Sequence, residues 1–222
     1  MKLSSFLIPA AILVLASCST TDSNNTAEEN ANETADLVSN NLTLVDGNYT
    51  VNKIEPLVTW VAKKIVGSGH SGIIPLKNGK FKVEDGNIVA GIITFDMEGF
   101  TVTDIEGESK DNFNGHLKSE EFLFTEKYPT AVITITGSSM VDGDMVIQST
   151  LNMHGVTLPY DLPITIKPFE KDGQVLFSIT GEIFVDRTKH DIKYGSGTFF
   201  ADLGDKAIND EILITFDLTA NS

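Results

Sequence analysis

Residues 57–72 read LVTWVAKKIVGSGHSG, and this stretch decides the fold. Its first part alternates. Val58, Trp60, Ala62, Lys64 and Val66 share one face, and Thr59, Val61, Lys63 and Ile65 share the other. That is the pattern of a strand, and it carries the chain's only tryptophan. Gly67, Gly69 and Gly72 then bracket His70. Glycine at this density lets a backbone bend sharply or approach another chain closely. A long strand with one large aromatic, ending in a bent corner, predicts the first wall of a closed β-barrel.

The same alternation recurs on both sides. Tyr49 to Ile54 is a candidate first strand, interrupted by Pro56. After the corner, Gly79 to Val83 is a short strand, and Asp85-Gly86 is a hairpin signal. Asn87 to Met97 places Val89, Gly91, Ile93, Phe95 and Met97 on one face. Further strands are predicted over 131–137, 144–153, 156–168, 174–185 and 211–219, with turns at Asp142-Gly143, His154-Gly155 and Asp172-Gly173. Pro159 and Pro163 predict an edge, a bulge or free amide positions. Gly195-Ser196-Gly197 reads as a loop. Only residues 112–129 read as helix, opened by Ser119-Glu120-Glu121, given apolar contacts by Leu117, Phe122 and Phe124, and ended by Tyr128-Pro129. Glu106 to Asp111 reads as a solvated loop. About eight to ten antiparallel strands with short turns fit a sandwich as well as a barrel. Long strands and a single helical insertion favour an all-β, antiparallel barrel of about eight strands, with the helix across one mouth.

The chain begins MKLSSFLIPAAILVLASC. Lys2 gives a positive start, and Phe6 to Ala16 is an apolar run shorter than a bilayer span. Leu15-Ala16-Ser17-Cys18 resembles the lipobox of bacterial lipoproteins. The resemblance implies acylation of Cys18 and cleavage before it. Several acyl chains on one residue give stable anchoring, at about 0.8 kcal/mol per buried CH₂. Ser19 to Asn41 has no aromatic, Lys or Arg and carries five carboxylates, Asp22, Glu28, Glu29, Glu33 and Asp36. Such a segment cannot offset its ordering entropy by burial, and it reads as a disordered acidic tether. The expected organisation is a signal peptide over 1–17, acylated Cys18 and tether over 18–46, and a barrel domain over 47–220. Ser19 is not the Asp that retains some lipoproteins in the inner membrane. The expected location is therefore the cell envelope, at the outer membrane.

Sixteen basic against 31 acidic residues give a formal charge of -15. Nucleic acid is excluded as a partner, since its phosphates are repelled. The total also argues against a basic patch for anionic lipids. One cysteine allows no intrachain disulfide.

The ordered set of short motifs resembles the YceI-like, or polyisoprenoid-binding, family from Tyr49 to Thr219. Its carriers are Tyr49-Thr50-Val51, Val58-Thr59-Trp60, the His70-Ser71-Gly72 corner, and Gly115 to Phe122 with Tyr128-Pro129. Thr150 to Pro159 and Asp186-Arg187-Thr188 complete it. The family usually has Asp before the His-Leu dipeptide, where this chain has Asn114-Gly115. Leu158 stands where many members have a polar residue. The resemblance implies a lipocalin-like barrel whose apolar tunnel holds an isoprenoid chain, such as a quinone tail or polyprenyl lipid.

From the residues alone, a ligand tunnel competes with a filled core, because small barrels commonly fill with side chains. Parity and size nominate Trp60, Phe81, Ile93, Phe95, Met145, Phe177, Ile179, Ile183 and Phe216 as ligand-lining, with Met97, Met145 and Met153 adding pliable surface. His70 is the candidate for a head-group contact or a structural bond to backbone. His70, His116, His154 and His190 show no metal-ligand spacing, so no metal and no required cofactor are expected. No Gly-x-Ser-x-Gly elbow supports a Ser-His-Asp triad, and Asp186-Arg187 reads as a structural ion pair or turn. The reading is a non-catalytic lipid binder, membrane-bound through acylated Cys18. A filled-barrel scaffold and an enzyme using His70 on a bound lipid are the alternatives.

Overall fold

The structure, a computed structural model, describes residues 44–52 and 57–222. The expected signal peptide, Cys18 and the tether up to residue 43 lie outside the described residues. Eleven strands run β1 Gly47–Val51, β2 Leu57–Lys63, β3 Gly69–Ile73, β4 Leu76–Glu84, β5 Asn87–Asp96, β6 Thr101–Val102, β7 Thr130–Val141, β8 Asp144–Met153, β9 Val156–Lys171, β10 Gln174–Asp186 and β11 Glu211–Asn221. Among the described residues one α-helix, α1, spans Gly107–Lys118, and 3₁₀ turns lie at Arg187–His190 and Gly204–Lys206.

The sheet order β1-β4-β5-β7-β8-β9-β10-β11 returns to β1, closing an antiparallel barrel. β11 carries two successive partners, β1 at Val51↔Ala220 and β2 from Leu57↔Asp217 to Val61↔Leu213. β1 and β2 therefore share one lane of the barrel. β4 and β3 share the next, since β4 pairs with β1 and β3 with β2. Closure pairs most strand edges, the stretch of β9 and β10 beyond Gly181 excepted, which eases the problem that alternating sequences otherwise pose.

The hairpin residues do what their chemistry dictates. Asp85-Gly86, Asp142-Gly143 and Asp172-Gly173 all have positive φ at both positions, and so has His154-Gly155. Two-residue turns of this kind match the right-handed twist of the strands they join. The prolines of β9 also find tolerable places. The β9–β10 ladder starts at Gln174↔Lys171 and reaches only Gly181↔Ile164, so Pro159 and Pro163 pair with β8 alone.

The helix differs from the sequence reading. It ends where 112–129 was expected to begin in earnest, because Ser119 is a C-cap. Its amide and its hydroxyl both donate to the His116 carbonyl, at 3.1 and 2.7 Å. The supposed solvated loop at Glu106–Asp111 supplies the first turns. Glu108 near the N-terminus and His116 and Lys118 near the C-terminus suit the helix dipole. Only Leu117 is fully buried, so apolar periodicity gave no signal. Docking comes from Asn114, whose Oδ1 accepts the Val102 amide and whose Nδ2 donates to Thr101 Oγ1, both at 2.9 Å.

The corner also differs. β2 ends at Lys63, and His70 and Gly72 lie inside β3. Gly72 is needed there for closeness, since a Cβ would overlap the Thr101 carbonyl and the Trp60 indole. The indole lies over Phe100 at 4.9 Å and donates to Thr101 O at 3.3 Å.

Two clusters share the interior. Tyr49, Phe81, Val83 and Phe177 centre one, toward the three Asp-Gly hairpins. Trp60, Phe100, Leu117, Phe122 and Ile192 centre the other, under α1.

Candidate functional site: an apolar cavity with one polar mouth

Between these clusters the barrel is not filled. A cavity of about 460 Å³ runs down its interior. Inward residues of period two build the wall: Ile93 and Phe95 from β5, Ile133 from β7, Ile179 and Ile183 from β10, Ile214 and Phe216 from β11. Among the described residues neither Asp nor Glu lines it, although the chain has 31 of them.

The polar atoms of the wall are turned away from the cavity. Ser149 Oγ donates to the Tyr160 carbonyl at 2.9 Å, and the Trp60 indole is held by Thr101. The Tyr160 hydroxyl lies 3.1 Å from His190 Nε2. His190 is itself fully buried, with Nδ1 donating toward Val156 O at 3.1 Å and Met153 O at 3.3 Å. Its Nε2 therefore accepts the tyrosine proton. Burial pushes the His190 pKa down, against the opposing pull of those two carbonyls, so the ring is neutral. Burial likewise pushes the Tyr160 phenol up. The result is a wall that offers a ligand apolar contact and no free donor. His190 thus ties the 3₁₀ turn that follows β10 to the β8–β9 hairpin.

One end is closed. Phe81 forms its floor, stacked on Tyr49 at 5.0 Å, and Phe177 meets Tyr49 edge-on at 5.5 Å. The other end is the mouth, where Lys63, Lys64, His70, His116, Tyr194 and Lys206 reach the cavity. His70 is half-exposed, its Nδ1 3.2 Å from Asp104 Oδ1 and its ring 4.4 Å from Phe113. His116 packs edge-on against Tyr194 at 4.6 Å, with Glu121 Oε2 at 3.8 Å.

Arg187 ties the mouth together from beneath. It is fully buried, yet every nitrogen has a partner. Nε donates to Asn209 O at 3.1 Å, Nη1 to Ile192 O at 2.9 Å and Tyr194 O at 2.8 Å, and Nη2 to Ile208 O at 3.2 Å. Its ion pair is with Asp210, at 3.6 Å, so of the two readings of Asp186-Arg187, ion pair or turn, the turn holds. Asp186 instead caps the 3₁₀ turn, accepting from the Thr188 amide and hydroxyl. Burial lowers the guanidinium pKa, but Asp210 and then Asp186 oppose this. Four carbonyls from two separate stretches of the one β10–β11 connection, 192–194 and 208–209, explain why a planar five-donor group is used here.

Of the residues nominated as lining, Trp60, His70, Phe81, Ile93, Phe95, Ile179, Ile183 and Phe216 border the cavity. Met145 and Phe177 do not. Both face inward but lie below the floor, in the closed-end cluster. Strand parity gives the face of a residue and not its depth. Of the other methionines, Met97 and Met153 reach the cavity. Sequence reasoning nominated none of Lys63, Lys64, Tyr194 and Lys206 as lining, although alternation puts Lys64 on the Trp60 face. Among the described residues no cluster of His, Cys, Asp or Glu could hold a metal ion.

The model of the YceI-like domain matches residues 30–220. The chain belongs to the YceI-like family. Two solved structures share this YceI-like fold. BcnA of Burkholderia cenocepacia has a TM-score of 0.59 at 18% identity, covering 77% of this chain and 99% of its own. A polyisoprenoid binding domain from Saccharophagus degradans, implicated in plant cell wall breakdown, also has 0.59, at 16% identity over 78% of this chain and 98% of its own. No curated protein matches the chain.

Proposed function

We propose that this YceI-like protein is a lipid-anchored carrier of the cell envelope that holds an isoprenoid lipid in its barrel, without chemistry on it. The tail lies along the apolar wall, and the polar head, of quinone or polyprenyl type, stays at the mouth near His70 and Lys64. Cys18 carries the acyl anchor, and the outer membrane is the expected location. The single observation that carries this reading is the unfilled cavity, walled by aliphatic and aromatic side chains and open at one polar end. Its volume of about 460 Å³ lies within the roughly 300–1,000 Å³ of small-molecule sites. Burial of apolar chain at roughly 25 cal/mol per Å² supplies the affinity. The Saccharophagus degradans relative, described as a polyisoprenoid binding domain, supports the ligand class.

The test is mass spectrometry of organic extracts from protein purified without detergent. A stoichiometric isoprenoid is the expected result. An empty extract, together with no binding of added quinone or polyprenol, would sink the carrier reading. Replacing His70 by Ala separates a carrier from an enzyme, since a carrier keeps most of its ligand.

A further inference from the structure

The mouth carries an apolar fringe that stands largely exposed. Ile65 is 60% exposed and Val66 57%, on the turn between β2 and β3. Phe199 and Phe200 are each 49% exposed and Tyr194 41%, on the segment after the Arg187–His190 turn. The two segments are joined. Ile65 N donates to Ala207 O at 2.9 Å and Asn209 N to Lys63 O at 2.8 Å, while Lys64 and Ser196 both bridge to Ile208. Lys63, Lys64, Tyr194, Lys206 and Ile208 of these segments border the cavity. The exposed side chains therefore flank its opening. Lys63, Lys64 and Lys206 stand among them, and none forms an ion pair with the described residues.

We infer that this rim is a membrane-docking surface. Ile65, Val66, Phe199 and Phe200 enter the head-group layer of a bilayer, so that the cavity opens onto lipid and not onto water. Contiguous exposed apolar side chains mark an interaction site. The occupant follows from two features. The fringe is continuous with the mouth, so a protein seated there would seal the cavity it borders. Unpaired ammonium groups interleaved with apolar side chains match phosphate head groups above acyl chains, on a chain whose net charge is -15. Asp202 and Asp205 share the loop, so the apolar side chains carry the attachment and the lysines orient it. The inference rests on the carrier reading, since a lipid ligand then crosses from bilayer to cavity without exposing its chain.

The test uses the full chain with Phe199→Trp, mixed with vesicles of phosphatidylcholine and phosphatidylglycerol whose acyl chains are brominated. Bromine quenches an indole only at close range, and the unsubstituted chain supplies the Trp60 background. The rim indole is expected to lose about half its emission or more, as an interfacial group does. Phe200→Trp is expected to behave alike. Val175→Trp, at a 62% exposed position beside the Asp172-Gly173 hairpin, reports the opposite end and is expected to stay bright. Equal quenching at 199 and 175, or none at 199 and 200, overturns the docking. Extraction of the same preparations distinguishes the two failures. An isoprenoid found with a bright rim indole removes the docking and keeps the carrier, and a quenched rim with an empty cavity does the reverse.

Discussion

At the end of the barrel where β4 turns into β5, β7 into β8 and β9 into β10, each connection is an Asp-Gly pair. Beneath them Tyr49, Phe81 and Phe177 pack as a plug. At the other end, besides the two-residue His154-Gly155 turn, the connections are a glycine corner, a helix and a loop from residue 187 to 210. These are held by Arg187, Asn114 and His190. The first end is specified by neighbours in sequence. The second depends on polar groups that find partners far along the chain. The closed end is therefore cheap to encode and rigid, and the open end is where a ligand site was left.

The difference can be broken most forcefully at Arg187. Arg187→Ala strips donors from four carbonyls and leaves Asp210 facing them. Breaking a buried pair in this way costs about 3–5 kcal/mol. Urea denaturation should report the loss, and amide exchange should rise over 187–210 before the Asp-Gly hairpins respond. Arg187→Lys is expected to recover little, because one ammonium cannot span carbonyls at both 192–194 and 208–209. A stability within about 1 kcal/mol of the parent for the alanine variant would mean the mouth is held by something else.

A matched pair of insertions sharpens the same contrast. Val83 is wholly buried at the closed end, whereas Ile133 borders the cavity. Val83→Phe should cost about 1–3 kcal/mol through overpacking. Ile133→Phe has empty space to enter and should cost less than about 1 kcal/mol. It should also lower the amount of extracted ligand, which Val83→Phe need not do. If both cost the same, the interior is not open as described.

This contrast also explains what could be read in the sequence. Strand alternation and the Asp-Gly turns are local, so the barrel and its hairpins were legible. The inward face of each strand was legible too, which is why Ile93, Ile179 and Phe216 were placed at the cavity. Depth was not, and Met145 and Phe177 fell below the floor. α1 was misplaced because it has one buried residue and is followed by a Ser-Glu-Glu that imitates a helix start. The tertiary bonds of Asn114 decide its position, and no local pattern encodes them. Arg187 was visible as a residue of interest, but its partners lie up to 23 positions away.

Acid should act on the open end first. Burial lowers the pKa of His190 and of His154 below the ordinary 6.5. His154 Nδ1 donates to the His190 carbonyl at 3.1 Å, and its Nε2 is buried without a partner among the described residues. Asp191 and Lys127 act on His154 in opposite senses, and Asp186 favours charge on His190. With folded pKa values below unfolded ones, the unfolded chain binds more protons at low pH. The stability contributed by the neutral rings is thus complete above about pH 6.5 and is lost progressively below it. Thermal unfolding followed from about pH 7.5 to about pH 5.5 should show a falling midpoint. His154→Asn, which tolerates the positive φ of 52° at this turn, should reduce that slope. An unchanged slope would place the titrating groups elsewhere.

The smallest effect belongs to the closed end. The Tyr49 hydroxyl donates to Val45 O at 2.8 Å and so pins the segment that leads into β1. Burial of the phenol raises its pKa, the Val45 bond notwithstanding. Tyr49→Phe keeps the stack on Phe81 and the edge contact with Phe177 and removes only this bond. The expected cost is about 1 kcal/mol, the net value of one such hydrogen bond. Amide exchange should increase at residues 44–47 and stay as it was over 187–210. The second half of that outcome is the informative one. If exchange at the mouth rises as well, the plug and the Arg187 node form one cooperative unit, and the two ends are not independently built.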